Sequence, residues 1–432
     1  MPPLKLAPAR SARQDFALLF TVMLTTAAGN TALQSVLPAL GRSLKLPDYA
    51  IALVFSFSAL VWALAAPMWA RRSDRRGRRV MVIAGMAGFT VSSILTAIAL
   101  SAGIAGWTGP AWAFAAVIVS RMIYGFLGSA APPAAQALVA SRTSRAERTT
   151  ALTLLASAFG LGTIVGPALA PFFVLPVVGL AGPAYVYSLI GVAVLYLVWS
   201  RLPDDSEAGP ARGAAASEPS IGGEPSGAAV IAAINEQTDA RLKLTDRRIW
   251  PWMVAGIVAG HAQAISGQVI AFLTIDRLGL HPLAAQPIIG LILMAGAGAA
   301  LLAQWGIIPR LGLPPRALVL WGSLIAGAGC LAVAVAENMH AIAVAFAIAS
   351  LGFGMIRPGF TAGVSLAVGT REQGVVAGKV TSINGAVFVL GPGIGIGLYQ
   401  VAAPLPYLTA AAALILLAVY AVGAIRPSFR AD

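Results

Sequence analysis

The chain has 432 residues, 58% of them hydrophobic and 10% charged, with 46 Gly, 28 Pro and a single Cys. A mean hydropathy of +0.83 excludes a soluble globular domain, in which about 25% of residues are charged, and points to a chain that crosses a membrane many times. The formal net charge of +13 does not make a nucleic-acid binder, because the basic residues gather beside apolar runs instead of forming a basic face of their own.

A helix needs about 20 apolar residues to cross the hydrocarbon core of a bilayer. Twelve such runs are predicted, at residues 16–38, 49–70, 80–102, 111–139, 150–173, 180–200, 249–274, 283–308, 316–336, 341–366, 374–398 and 405–425. They are called spans one to twelve, and the fold class they predict is an all-α membrane protein. With the amino terminus in the cytoplasm, all but six of the 29 Lys and Arg fall in cytoplasmic segments. The exceptions are Arg42, Lys45 and Arg277 in outside loops and Arg121, Arg357 and Lys379 within spans. This is the positive-inside bias, and it predicts both termini in the cytoplasm of an inner, plasma-type membrane. Met1 to Arg13 is short and basic, but no small-residue cleavage site follows span one, which is therefore expected to remain as an uncleaved span.

Span one offers Asn30 and Gln34 at depth, with Asp15 at its cytoplasmic mouth; all sixteen Asp and Glu fall in predicted loops or at helix ends. Spans two and three are joined by Asp74-Arg75-Arg76-Gly77-Arg78-Arg79. A carboxylate so placed can accept hydrogen bonds from the first amides of a facing helix, whose dipole favours negative charge. Span four carries Arg121 and, four residues on, Gly125. A charge at mid-membrane costs about 2.5 to 3.5 kcal/mol on insertion scales, so it needs a partner or a wet cavity. In span five, Gly162 and Gly166 leave a groove for close helix approach, while Pro167 removes a backbone donor and bends the helix.

Between Asp204 and Asp246 the composition turns to Gly, Pro, Ser, Ala and acidic residues, which predicts a flexible cytoplasmic linker. The expected organisation is a six-helix bundle over 1–202, a linker over 203–248 and a second six-helix bundle over 249–432. His261 in span seven has a reference pKa near neutrality. The lone Cys330 and the scattered His261, His281 and His340 predict neither a disulfide nor a metal centre. Span ten contains Arg357-Pro358, expected to interrupt its helix and free carbonyls to line a cavity. Span eleven contributes Lys379 and Asn384. The three embedded charges are all cations, which favours an anion-tolerant site, although Lys379 is near enough to its helix start to snorkel to the interface. Two apparent nucleotide motifs fail. Gly374-Val-Val-Ala-Gly378-Lys379 has three residues between its glycines and no Ser or Thr after Lys, and Gly391-Pro-Gly-Ile-Gly-Ile-Gly397 follows no strand.

The halves repeat at an offset of 225 residues: Pro133 matches Pro358, Glu147 matches Glu372, Gly160 matches Gly385, and Gly166-Pro167 matches Gly391-Pro392. Such a duplication of six spans resembles the major facilitator superfamily, whose parallel halves rock about a site near the midplane. The segment Ala70 to Arg79 resembles the family's motif A through Asp74, Arg75, Gly77, Arg78 and Arg79, with Ala70 and Arg72 replacing its usual Gly and Leu. Arg121 with Gly125 resembles motif B, and Gly162, Gly166 and Pro167 resemble motif C of the antiporter branch, with Ala170 in place of the final Gly. The resemblance implies a latch from Asp74 to the start of span eleven near Thr370 to Gly374, a proton-coupling role for Arg121, and a hinge at span five. His261 and Asp15 are further coupling candidates, and Asn30, Gln34, Arg357, Lys379 and Asn384 are cavity candidates. The expected function is proton-coupled efflux of small amphipathic compounds, as in the twelve-helix drug:proton antiporters. The alternatives are an exporter of an anionic metabolite such as a siderophore or organic acid, or a non-transporting receptor or assembly factor on the same scaffold. A small-molecule substrate, protons and the lipid bilayer are the expected partners of a monomer that is not an enzyme, needs no cofactor and binds no nucleic acid.

Overall fold

The computed structural model describes residues 10–142, 145–203, 242–368 and 372–425, and for Asp74 and Arg75 the backbone alone. In hydrocarbon every backbone N–H and C=O must be satisfied within the protein, which leaves helices or closed barrels. The described residues are helical apart from short turns and one isolated bridge between Leu175 and Gly179.

In the N-terminal half, α1 (Arg10–Ser43), α2 (Asp48–Arg76) and α3 (Arg78–Ile104) form spans one to three. Span four is α4 (Pro110–Ile123), a π segment (Tyr124–Gly128) and α5 (Ala131–Arg142). Spans five and six are α6 (Arg145–Leu169) and α7 (Gly182–Arg201). In the C-terminal half, α8 (Trp250–Leu278) is span seven, and span eight is α9 (Pro282–Leu301), a π segment (Leu302–Ile307) and α10 (Ile308–Leu311). Spans nine to twelve are α11 (Pro315–Val335), α12 (Met339–Leu366), α13 (Gln373–Val401) and α14 (Leu405–Gly423). Among the described residues, eleven helices are long and apolar enough to cross a membrane, and the shorter apolar helix Ser157–Phe173 falls at span five.

Local sequence explains the boundaries. Proline stands in the first turn of α4, α7, α8, α9, α11 and α14, where its missing N–H costs nothing. The Asn338 side chain accepts from the Ala341 amide at 2.9 Å and so caps α12. Between α2 and α3, Gly77 has φ 90, a conformation closed to residues with a Cβ.

The alternating spans define two faces: a terminal face, where the described chain begins and ends, and a distal face opposite. Leu64, Leu189 and Leu416 on the helix flanks are each about 70% exposed, as lipid-facing residues are in a membrane protein. Exposed Trp107 and Trp112 lie near the distal face and Trp199 and Trp250 near the terminal face, the two levels at which interfacial aromatics gather.

Two expectations require correction. Arg42 and Arg277, expected in loops, occupy the last turns of α1 and α8. The apolar windows end there, but both helices run on because the guanidinium groups find partners, Arg42 at Asp48 and Arg277 at the Ala334 carbonyl, 2.6 Å away. Arg357-Pro358 does not interrupt its helix, since α12 passes through Pro358 unbroken. Of the expected linker over 203–248, residues 204–241 lie outside the described residues.

Candidate transport pathway

Where the halves meet there is a cavity of about 170 Å³. Its polar lining combines four amides, Gln34 from α1, Gln263 and Gln268 from α8, and Gln304 from the π segment of span eight, with the hydroxyls of Thr31, Thr163, Ser266 and Ser350. Arg357 is the cation in this wall, and Phe346, Phe353 and Phe388 supply aromatic surface. No carboxylate lines it among the described residues. A smaller adjoining cavity shares Gln263, Arg357 and Phe388 and adds Asn384. This mixture of apolar walls and a few polar groups is the usual make-up of a small-molecule site.

The predicted residues divide between this cavity and its supports. Gln34, Pro167 and Arg357 line it, and Asn384 lines the adjoining one. Asn30 does not: it is fully buried, and its Oδ1 accepts from the Arg121 guanidinium. Arg121 is 2% exposed, with its charge 4.4 Å from the centre of the Tyr124 ring. The mid-membrane cation is thus held by an amide oxygen and an aromatic face. Gly125 lets span four lie on α2, since a Cβ there would come within 2.4 Å of the Ser58 carbonyl. The π turn also frees acceptors: the Phe126 carbonyl takes the Trp69 indole N–H at 2.6 Å.

Gly162 and Gly166 set α6 directly against α1. A Cβ at Gly162 would lie 2.6 Å from the Leu24 carbonyl, and one at Gly166 would lie 2.3 Å from both the Ala28 carbonyl and the Thr31 Oγ1. His261 Nδ1 is 2.8 Å from the Ile257 carbonyl one turn earlier in α8, and it lines neither cavity. Lys379 also lines neither. Asp15 is the one buried carboxylate among the described residues.

At the distal face the halves are tied together. Arg42 binds Asp48 through Nε at 3.0 Å and Nη2 at 2.7 Å, and it also pairs with Asp276 at the end of α8. Asp276 in turn accepts from the Tyr399 hydroxyl of α13, and Arg42 lies 5.3 Å from the centre of the Phe272 ring. Below this network, the Gln286 amide of α9 donates to Ser35 of α1 at 3.3 Å. A Cβ at Gly290 would lie 2.8 Å from the Pro167 carbonyl, so spans five and eight also meet there.

At the terminal face, Arg79 Nη2 donates to the Trp199 carbonyl at 2.6 Å near the end of α7, where a cation complements the helix dipole. Arg78 is buried. The Asp74 and Arg75 side chains and the stretch Thr370 to Gly374 that the latch expectation involves lie outside the described side chains, Glu372 excepted. Arg248 donates to both Glu372 oxygens at 2.9 Å and to Asp246 at 3.0 Å, joining the starts of α8 and α13. The hydrogen bonds from Arg248 hold the Asp246 carboxyl below the usual carboxylate range.

Sequence reasoning missed Gln263, Gln268 and Gln304, which stand in strongly apolar helices and give no pattern of their own. It also missed the Arg42–Asp276 contact, which joins residues 234 apart.

Residues 19–392 match the family model described as Major Facilitator Superfamily. The chain belongs to the major facilitator superfamily. Among curated relatives, the facilitator is 30% identical over 115 residues to the multidrug resistance protein MdtG of Rahnella sp. (strain Y9602), covering 27% of this chain and 25% of that protein. It is 28% identical over 247 residues to a probable triacylglyceride transporter of Mycobacterium leprae (strain TN), covering 55% of this chain and 45% of the relative. The chain therefore spans less than half the length of these curated relatives in the matched regions. Two solved structures share its fold. The human organic anion transporter MFSD10 (TETRAN) has a TM-score of 0.63 at 19% identity, covering 96% of this chain and 100% of that one. A bacterial homolog of the human lysosomal transporter Spinster, in an inward-facing and occupied conformation, has a TM-score of 0.70 at 13% identity, covering 97% and 98%. The family and the apolar helices make the chain a multi-pass membrane protein.

Proposed function

We propose that this facilitator exports small amphipathic compounds across a bacterial inner membrane, driven by protons and working by alternating access as a monomer. The observation that carries this reading is the amide- and Phe-lined cavity between the halves, closed on the distal side by the Arg42–Asp276 network. The multidrug resistance relatives support the substrate class. The arginine-rich terminal face belongs in the cytoplasm by the positive-inside rule, which puts the tied distal face outside. Because no carboxylate lines the cavity among the described residues, the proton is assigned to Asp15, the buried acid of α1, and the motif A latch to Asp74.

A second reading, export of an anionic metabolite, is favoured by Arg357, which lines both cavities. One experiment separates the two. The purified chain is reconstituted into vesicles holding a pH dye, given a proton gradient and challenged with cationic and anionic amphiphiles of equal size. Proton movement with the cation supports drug-type efflux, and Asp15→Asn then abolishes it. Movement with the anion alone, lost in Arg357→Ala, places the anionic metabolite in the site. Binding without flux of either probe leaves the receptor reading.

A further inference from the structure

Proline at position i of a helix has no N–H, so the carbonyl at i−4 loses its helical partner, and the pyrrolidine ring stands beside that carbonyl. Six described helices contain an interior proline: Pro38 in α1, Pro67 in α2, Pro167 in α6, Pro287 in α9, Pro358 in α12 and Pro392 in α13. The carbonyls they release belong to Gln34, Ala63, Thr163, Leu283, Gly354 and Phe388. Four of these six residues, all but Ala63 and Leu283, line the central cavity. In span five and span eleven the proline ring lines the cavity as well as the residue four before it, which puts the released carbonyl on the cavity side of the helix. These two sites are the same position of the duplicated Gly-Pro motif, so Thr163 and Phe388 approach the cavity from opposite halves. A buried acceptor left without a partner is costly; one that faces a cavity is available to a ligand.

We propose that the backbone carbonyls of Thr163 and Phe388, released by Pro167 and Pro392, form a donor-binding site that recognises N–H groups on the substrate, with a protonated amine as the preferred class. The inference rests on the reading of the central cavity as the substrate site. It explains how a cavity lined by Arg357 and by no described carboxylate holds a cationic amphiphile: two carbonyl dipoles, one from each half, accept charge-assisted hydrogen bonds. Gly354 and Gln34 supply further released carbonyls along the same walls. Because the two principal acceptors sit on different halves, a ligand bridging them is held only while the halves are close. Binding and closure are thereby coupled.

Replacing the proline by alanine restores the N–H that reclaims the carbonyl, and it does so without weakening the helix. The full chain in lipid vesicles is titrated with two aromatic amphiphiles, a protonated secondary amine and its quaternary N-methylated analogue, which has the same charge and no N–H. Pro167→Ala and Pro392→Ala each lower affinity for the secondary amine by about tenfold and move the quaternary probe by less than about twofold. Pro287→Ala, which restores the bond to the exposed Leu283, moves neither. Equal losses for the two probes mean that the prolines act through helix geometry, and unchanged affinities mean that the carbonyls are not used; both overturn the site while leaving amphiphile binding intact. Wild-type protein that binds neither probe overturns the amphiphile reading itself, and this site with it.

Discussion

Arg121 illustrates how a single charged residue fits in a bilayer-spanning bundle. Its insertion cost of about 2.5 to 3.5 kcal/mol is offset by Asn30 and the face of Tyr124. A hydrogen bond to a charged group contributes about 1.5 to 3 kcal/mol. Asn30→Ala is therefore expected to lower the thermal unfolding midpoint of the purified protein markedly, and Asn30→Asp to recover it by supplying a counter-charge. A midpoint unchanged in Asn30→Ala would remove Asn30 as the partner that matters. In sequence, Asn30 and Gln34 are equivalent: both are amides, one turn apart, in the same apolar run. The structure separates them because α1 presents one to Arg121 and the other to the cavity.

At the scale of the element, the glycines of α6 and α13 look alike in the sequence and differ in what surrounds them. A side chain at Gly166 meets the Ala28 carbonyl and the Thr31 hydroxyl at 2.3 Å, whereas one at Gly393 meets nothing within 4 Å. Gly166→Val forces α6 off α1, and overpacking of this kind costs about 1 to 3 kcal/mol or more. Loss of folded protein in Gly166→Val beside a neutral Gly393→Ala, followed by thermal unfolding in detergent, is the expected result; equal stability in both would mean that α6 does not lie against α1 this closely. The duplication at 225 residues pairs span five with span eleven. The glycines of its Gly-Pro pair are both close-packed, Gly166 against α1 and Gly391 against the Ala264 Cβ of α8 at 2.5 Å, whereas Gly393 lies outside the repeated pair and on an open side of its helix.

At the scale of the whole molecule, the proposed alternating access requires two states of similar free energy, so the contacts between halves must be individually weak. The Arg42–Asp276 pair fits that requirement: both side chains are partly exposed, at 22% and 41%, and such pairs contribute about 0.2 to 1 kcal/mol. Asp276→Asn is expected to shift the balance toward distal opening by about two- to fivefold. The shift is measured as faster labelling of a Ser35→Cys probe by a membrane-impermeant thiol reagent, in a Cys330→Ser background. Labelling at the wild-type rate would show that this network does not hold the distal face shut.

The sequence by itself determined the number and order of the spans, the basic face and the duplication, because each depends on composition along the chain, and hydrocarbon permits only helices for such runs. The motif residues around Asp74, Arg121 and Gly166 were legible for the same reason, as polar, charged or small residues in segments where they are expensive or conspicuous. Only the tertiary structure decided which side of each helix faces its neighbours. In a soluble protein, an apolar stripe against a polar one would have shown this. In a bilayer, lipid and protein interior are equally apolar, so Leu64 facing lipid and Val54 in the core leave the same mark on the sequence. For that reason the cavity glutamines, the Asn30–Arg121 bond and the Arg42–Asp276 contact appear only once the helices are packed.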